Sequence, residues 1–143
     1  MRVIALVENT SISKDYKSKH GLCLYIETKK HKLLFDLGSN SLFLGNAVKL
    51  DVDISDIDSV IISHGHNDHG GALKYFLENN AKANIYISRY AFEEYYANIL
   101  GMKWYVGLDR KLKDNPRIIL IEDEYVIDEE LQIFSNIEEH RYL

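Results

Sequence analysis

The residues with the clearest capacity for chemistry are three histidines and one aspartate in the segment His64-Gly65-His66-Asn67-Asp68-His69. Three of the chain's six histidines fall within these six residues. Imidazole nitrogens and carboxylate oxygens both bind zinc at about 2.0–2.2 Å, and the same donors suit manganese or iron. This spacing has a chance probability on the order of one in a thousand, so the pattern predicts a metal site.

The spacing within the segment favours two metal ions over one. His64 and His66 are two residues apart, so at the end of an extended strand they lie on one side and can chelate one ion. Asp68 and His69 fall in the following turn and can hold a second ion. Two ions about 3.5–4 Å apart clamp a hydroxide, lower the pKa of its parent water and polarise a phosphoryl or carbonyl oxygen.

Two simpler explanations of the motif are a histidine-rich surface turn and a purely structural metal. A structural zinc normally has a closed, cysteine-rich tetrahedron of ligands. The chain has a single cysteine, Cys23, between two leucines, which is most simply a core residue. A functional metal site is therefore the favoured interpretation.

The motif must be positioned by a strand at residues 59–63 that enters it and a helix at residues 72–79 that follows it. Upstream, the apolar patterns predict strands at residues 2–7, 22–28 and 32–36 and a helix at residues 42–50. Downstream, they predict a strand at 84–88, a Tyr-rich helix at 89–100 closed by Gly101, and strands at 104–106, 117–121, 124–127 and 131–134. No repeat or Pro/Gly-rich linker interrupts them, so the sequence predicts a single α+β domain.

Composition narrows the function classes. The 143 residues are 46% hydrophobic and 27% charged, which is typical of a globular domain with a real core. The formal charge of -5 gives no electrostatic case for nucleic-acid or membrane binding. The apolar runs fall short of the roughly 20 residues of a membrane span. A lone cysteine suits a reducing compartment, so we expect a cytoplasmic protein.

The motif, entered from Val60-Ile61-Ile62-Ser63 and followed by Gly70-Gly71, resembles the signature of the metallo-β-lactamase superfamily. More narrowly, three other segments resemble one branch of it, which includes metal-dependent hydrolases and dihydropterin–ribofuranosylaminobenzene phosphate synthases. These segments are Leu6-Val7-Glu8-Asn9-Thr10, His20-Gly21-Leu22 and Phe35-Asp36-Leu37-Gly38.

The resemblance implies a four-layer αββα sandwich built from two similar halves, of which residues 1–143 cover mainly the N-terminal half. We therefore expect a metallo-β-lactamase-like domain that is incomplete at its C-terminus. The family's C-terminal half supplies a third histidine, a bridging aspartate and a last histidine. After residue 71 the only histidine is His140, which lies in a polar tail without a ligand-like setting.

The resemblance also implies roles for individual residues. His64 and His66 would bind the first metal, and Asp68 and His69 the second, with Asp68 also contacting the attacking water. Asp36 would lie behind the site and orient a ligand. An equally simple interpretation makes Asp36 a turn-forming residue before Gly38.

Together these features predict a metal-dependent hydrolase, or a related transferase, that uses a metal-bound hydroxide on a small substrate, with a phosphorylated molecule as a candidate. Two divalent ions are expected, zinc foremost, with manganese or iron as alternatives. The rival hypothesis is a catalytically incomplete metal-binding or assembly domain, completed by a homodimer or by a missing C-terminal half, because a half-sandwich exposes an apolar sheet face. A redox di-iron protein is weaker, since related redox proteins replace the second histidine by glutamate.

Other candidate residues have two interpretations each. Glu8 and Asn9 end the first strand, where they either line the cleft of the resembled family or simply belong to the polar run that ends the strand. The lysines of the first quarter of the chain either steer a phosphorylated substrate or are solvated. The aromatic residues of one later segment either line a pocket for an aromatic ring or pack in the core; these are Tyr90, Tyr95, Tyr96, Trp104 and Tyr105.

Overall fold

A computed structural model of the chain describes residues 1–135. The strands are β1 (Arg2–Val7), β2 (Cys23–Glu27), β3 (Lys32–Phe35), β4 (Ser59–Ile62), β5 (Asn84–Ser88), β6 (Tyr96–Ile99), β7 (Met102–Tyr105), β8 (Ile118–Ile121), β9 (Glu124–Val126) and β10 (Gln132–Phe134). The α-helices are α1 (Leu42–Lys49), α2 (Asn67–Gly70) and α3 (Leu73–Asn79). Short 3-10 helices cover Ile54–Asp56 and Arg110–Asp114.

A six-stranded mixed sheet in the order β1-β2-β3-β4-β5-β8 organises these elements. The first three strands pair antiparallel, and β3, β4, β5 and β8 pair parallel. Parallel pairing requires crossover connections, which α1 supplies between β3 and β4, and α2 with α3 between β4 and β5. The carboxyl ends of β3, β4 and β5 therefore meet at one edge, where Asp36 and the motif lie.

The sheet has one face covered by helices and a second face covered differently. The helical face carries the main core, which includes Leu34, Phe43, Phe76 and Ile85, all fully buried. On the second face, Leu33, Ile61, Tyr86 and Ile121 form a separate buried cluster. The β9–β10 hairpin packs on this cluster through Ile127, Leu131 and Ile133. The expected exposed sheet face is thus partly covered by the chain's own hairpin.

The turn of the β9–β10 hairpin is attached to the β2–β3 turn by a group of polar contacts, which we call the clasp. Thr28 Oγ1 donates to Glu130 Oε2 (2.7 Å), and Lys30 pairs with Glu129. The His31 ring lies between Asp58 and Asp128. Residues about 100 positions apart in sequence are joined here.

The Tyr-rich helix expected at residues 89–100 is wrong. The segment forms a turn at residues 89–93 and then β6, which pairs antiparallel with β7. Leu100 and Gly101 form the two-residue connection with φ of 52° and 78°, the backbone sign that tight hairpin turns require. The Tyr96 and Tyr105 rings pair across the strands at 5.6 Å, so the aromatic spacing belonged to cross-strand pairs rather than to a helix face.

The predicted α+β class is confirmed, and the other strands lie within a few residues of their expected positions. Cys23 is buried, as expected for a core residue. Among residues 1–135, no helix combines the length and the apolar character needed to cross a membrane. His140 lies outside the described residues.

Candidate metal centre

The motif occupies the turn where β4 leaves the sheet and α2 begins. Its four-residue helix is held in place by backbone hydrogen bonds from three other parts of the chain. Asn67 N donates to Val106 O (2.7 Å), Leu37 N to His69 O (2.7 Å) and Leu22 N to Asp68 O (3.4 Å). A segment fixed from three sides presents its side chains from a rigid base.

Three of the predicted ligands come together as a compact group. His64, Asp68 and His69 offer one ligand atom each, and these atoms all lie within 4.8 Å of one another. The His64 and His69 rings are 4.2 Å apart between centroids. His69 Nε2 lies 3.5 Å from Asp68 Oδ2. All three side chains are half-buried, so the group is open to a small molecule on one side.

Asp36 lies directly behind this group and is fully buried. Its Oδ1 accepts a hydrogen bond from Ser63 N (2.7 Å), and its Oδ2 accepts from Ser63 Oγ (2.7 Å) and from His69 Nδ1 (2.7 Å). The residue has φ of 58°, a left-handed conformation that aspartate and asparagine tolerate better than most residues. A buried carboxylate in this conformation is placed to orient the centre.

These hydrogen bonds decide which nitrogen of each ring is available. A carboxylate only accepts, so His69 Nδ1 carries a proton and Nε2 is left as the donor to a metal. Ser63 Oγ gives its single proton to Asp36, so it accepts from His64 Nδ1, 2.9 Å away. His64 therefore also keeps Nε2 for coordination. This donor set fits a divalent metal ion.

Burial lowers the pKa of the His64 imidazole, and the neighbouring His69 and His66 rings lower it further. A lowered pKa keeps this ring neutral at neutral pH. Metal binding requires neutral imidazole, so the electrostatics agree with the hydrogen-bond pattern.

His66 lies beside this compact group rather than in it. Its ring is exposed, 4.7 Å from the His64 ring and edge-on to the Tyr95 ring at 5.2 Å. The structure thus gathers His64, Asp68 and His69 around Asp36 and leaves His66 at the rim. The assignment of His64 with His66 to one ion and of Asp68 with His69 to another remains a prediction.

A cleft of about 260 Å³ opens beside Asp68 and His69. Glu8, Asn9 and His20 line it, and His20 Nε2 lies 3.1 Å from Asp68 Oδ2. Asn9 Oδ1 accepts from Gly21 N (3.1 Å) and so ties the first strand's exit to this wall. Glu8 and Asn9 thus line the cleft, which agrees with the first of their two interpretations.

Sequence reasoning missed two residues at the centre. Ser63 was treated only as the end of a strand, although it links His64 to Asp36. His20 was noted only within a motif, although it faces Asp68. The signal for Ser63 was its place next to the first histidine, whereas the contact of His20 depends on a loop path that the sequence does not specify.

The family model of the metallo-beta-lactamase superfamily matches residues 19–139. An uncharacterized protein of Methanocaldococcus jannaschii, MJ0448, is 32% identical over 131 residues, which are 88% of this chain and 49% of that protein. A probable RNase of the same organism, MJ4, is 46% identical over 54 residues, covering 36% of this chain and 12% of that protein. The chain thus spans about half the length of the first of these curated relatives and less of the second.

The chain also matches about half the length of two solved structures. Tm1679, described as a metal-dependent hydrolase of the beta-lactamase superfamily, superposes with a TM-score of 0.71 and 27% identity, over 92% of this chain and 46% of that one. A quorum-quenching N-acyl homoserine lactone lactonase superposes with a TM-score of 0.57 and 19% identity, over 79% and 49%. The lactonase shares the fold alone.

Proposed function

The chain belongs to the metallo-β-lactamase superfamily, and we propose that it provides the metal centre of a hydrolase, or of a closely related transferase, acting on a small molecule. The superfamily is typically one of metal-dependent hydrolases. One observation carries the proposal for this chain. The hydrogen bonds of Asp36 leave a ring nitrogen of both His64 and His69 for coordination, beside the Asp68 carboxylate.

In this proposal His64 and His66 hold one divalent ion, and Asp68 and His69 hold another. Zinc is the first choice because the donors are imidazole and carboxylate, and manganese or iron suit them as well. When bound, such ions supply Lewis acidity and activate water at neutral pH.

The chain's own residues would act around these ions. Asp36 fixes the His69 ring through Nδ1 and, by way of Ser63, the His64 ring. Asp68 is the proposed catalytic residue, because its Oδ2 faces the cleft between His20 and His69. A small substrate, phosphorylated or not, would enter by the open side of the His64, Asp68 and His69 group.

A second candidate is a metal-binding half that acts only with a partner segment or a second copy of the chain. The observation that favours it is coverage, since the chain spans 46% of Tm1679 and 49% of MJ0448. The second sheet face, covered in part by the β9–β10 hairpin, gives such a partner an apolar surface. For either candidate we propose a cytoplasmic location, which the buried Cys23 thiol supports.

The test is metal content by elemental analysis, combined with hydrolysis of bis(4-nitrophenyl) phosphate, 4-nitrophenyl phosphate and 4-nitrophenyl acetate. We expect close to two zinc ions per chain, with metal and activity both reduced in Asp68→Asn and His66→Ala. The matched control is Lys74→Ala, an exposed position on α3, which should keep both.

The outcomes separate the two candidates. Metal without hydrolysis of any of the three esters would favour the partner-dependent half. A metal content far below one ion per chain, unchanged in the variants, would contradict the metal centre itself.

A further inference from the structure

The β6–β7 hairpin stands at the rim of the metal centre; we call residues 95–106 the arm. Its base is fixed to the motif at two points. Asn67 N donates to Val106 O (2.7 Å), and the Tyr95 ring lies edge-on to the His66 ring at 5.2 Å. The arm therefore begins where the predicted metal ligands are.

The register of the hairpin sorts its side chains onto two faces. Tyr96 pairs with Tyr105 and Asn98 with Lys103, while Ala97 pairs with Trp104 and Ile99 with Met102. Because side chains alternate along a strand, the first two pairs share one face and the last two share the other. One face is mixed, and the other is wholly apolar.

The apolar face is the one that continues from the metal centre. Val106 N donates to Tyr95 O (2.9 Å), which extends the ladder by one pair beyond β6 and β7. Tyr95 is two residues from Ala97 and so lies on the same face. Since the Tyr95 ring contacts the His66 ring, this face starts at the site and runs outward from it.

This face is exposed to water despite its composition. Ile99, Met102 and Trp104 are 52%, 61% and 54% exposed. Contiguous apolar side chains left in water mark binding surfaces more often than isolated ones, and tryptophan is the residue most enriched where binding energy concentrates.

The dimensions of the apolar face indicate what kind of ligand fits on it. From Tyr95 to Ile99 the strand rises roughly 13 Å, and two strands are about 5 Å apart. That area suits one or two fused rings and is far below the roughly 800 Å² per partner of a stable protein interface. A ligand on the face also has one end at the metal centre, as a substrate must.

We propose that the apolar face of the arm, formed by Tyr95, Ala97, Ile99, Met102 and Trp104, binds a flat aromatic part of the substrate. The reacting group of that substrate lies at His64, Asp68 and His69. The inference rests on the proposed function and deepens it by naming a substrate class, namely small molecules in which an aromatic ring system adjoins the group to be hydrolysed.

The test uses two metal-chelating probes, acetohydroxamate and 2-naphthohydroxamate, with the zinc-loaded protein. Both carry the same chelating group, and only the second carries an aromatic surface. Affinities are measured by calorimetry. Trp104 is the chain's only tryptophan, so its single indole N–H resonance reports contact with the arm.

We expect 2-naphthohydroxamate to bind about tenfold or more tightly than acetohydroxamate and to shift the Trp104 resonance. The double variant Ala97→Ser/Trp104→Ser changes the pair of this face that is nearer to the metal centre; it should lose most of this gain while keeping its affinity for acetohydroxamate. The matched control Asn98→Ser/Lys103→Ser changes the adjacent pair on the opposite face and should keep the gain.

Equal affinities for the two probes, or a gain that survives in Ala97→Ser/Trp104→Ser, would overturn the inference. A dimer in sedimentation that this variant dissociates, with no naphthyl gain, would also overturn it by assigning the face to a second copy. Failure of acetohydroxamate to bind the zinc-loaded chain would instead contradict the proposed function. If neither probe binds, both fall.

Discussion

Two histidine–aspartate networks lie at opposite ends of the sheet's central strands and differ in how many ring nitrogens face a carboxylate. At the metal centre, His69 Nδ1 donates a hydrogen bond to Asp36, and Nε2 is left for coordination. In the clasp, His31 Nδ1 lies 3.0 Å from Asp58 Oδ1 and His31 Nε2 lies 2.8 Å from Asp128 Oδ2. Two carboxylate acceptors require both ring nitrogens to be protonated, and an imidazolium has no lone pair for a metal.

The difference shows what separates a candidate metal centre from a structural contact of the same residue types. A buried carboxylate that takes one nitrogen of a ring prepares the other for coordination. A ring held on both sides serves as a link, and His31 links the β9–β10 hairpin to the β2–β3 turn.

The largest effect, on zinc affinity, is expected from removing the charge of Asp36, the carboxylate behind the metal centre. In Asp36→Asn, the amide NH₂ group would face the Ser63 hydroxyl and His69 Nδ1, so His69 would have to move its proton to Nε2. Zinc affinity should fall about 10–100-fold, as measured by titration calorimetry. Asparagine tolerates the left-handed backbone of position 36, so the loss reports on the hydrogen bonds rather than on the turn.

Asp58→Asn is the matched substitution in the clasp. It changes the carboxylate that faces His31 Nδ1 but should leave zinc affinity unchanged. Similar losses of zinc affinity in the two variants would contradict the distinction between the networks.

How far the sequence alone predicts these networks depends on sequence separation. The motif is local, so its donors and the entering strand were identified from spacing. Asp36 and Ser63 are 27 residues apart, and only the parallel pairing of β3 with β4 brings them together. The clasp joins His31 to Asp128, 97 residues away, and no local pattern encodes that contact.

For the arm, the prediction from sequence failed for a different reason. Its apolar residues fit a helical period and a strand pattern about equally, which is common for short apolar runs. Two features favour the hairpin over a helix. Leu100 and Gly101 take positive φ in the turn, and tyrosines pair across the strands. Gly101 was read as a helix end, although the same glycine suits a hairpin turn.

A smaller effect is expected from removing the clasp histidine. His31 is 13% exposed in its side chain, and His31→Ala would leave Asp58 and Asp128 facing each other across a vacated site. We expect a loss of about 1–2 kcal/mol in the free energy of unfolding in urea, after allowance for partial screening. Met102→Ala, in the exposed arm, should cost less than about 0.5 kcal/mol, and equal losses would contradict a structural role for the clasp.

The smallest expected effect is the pH dependence of the stabilisation that the clasp contributes. Burial opposes protonation of His31, but the hydrogen bonds and charges of Asp58 and Asp128 outweigh it and raise the pKa of the ring. A raised folded-state pKa gives a stabilisation that is fully present below the unfolded value of about 6.5 and is lost as pH rises through the folded value. Hydrogen bonds from the Glu130 backbone and from His31 lower the pKa of Asp128, so its own contribution is lost only in acid.

The stability difference between wild type and His31→Gln should therefore be largest near pH 5–6 and shrink above neutrality. Lys30, Glu129 and Glu130 also face this turn and are the same in both proteins, so they largely cancel in the difference. Urea unfolding from pH 5 to pH 8.5 measures it. A difference that stays constant over this range would mean that His31 is held by neutral hydrogen bonds, and that the contrast with the metal centre is one of position and not of protonation.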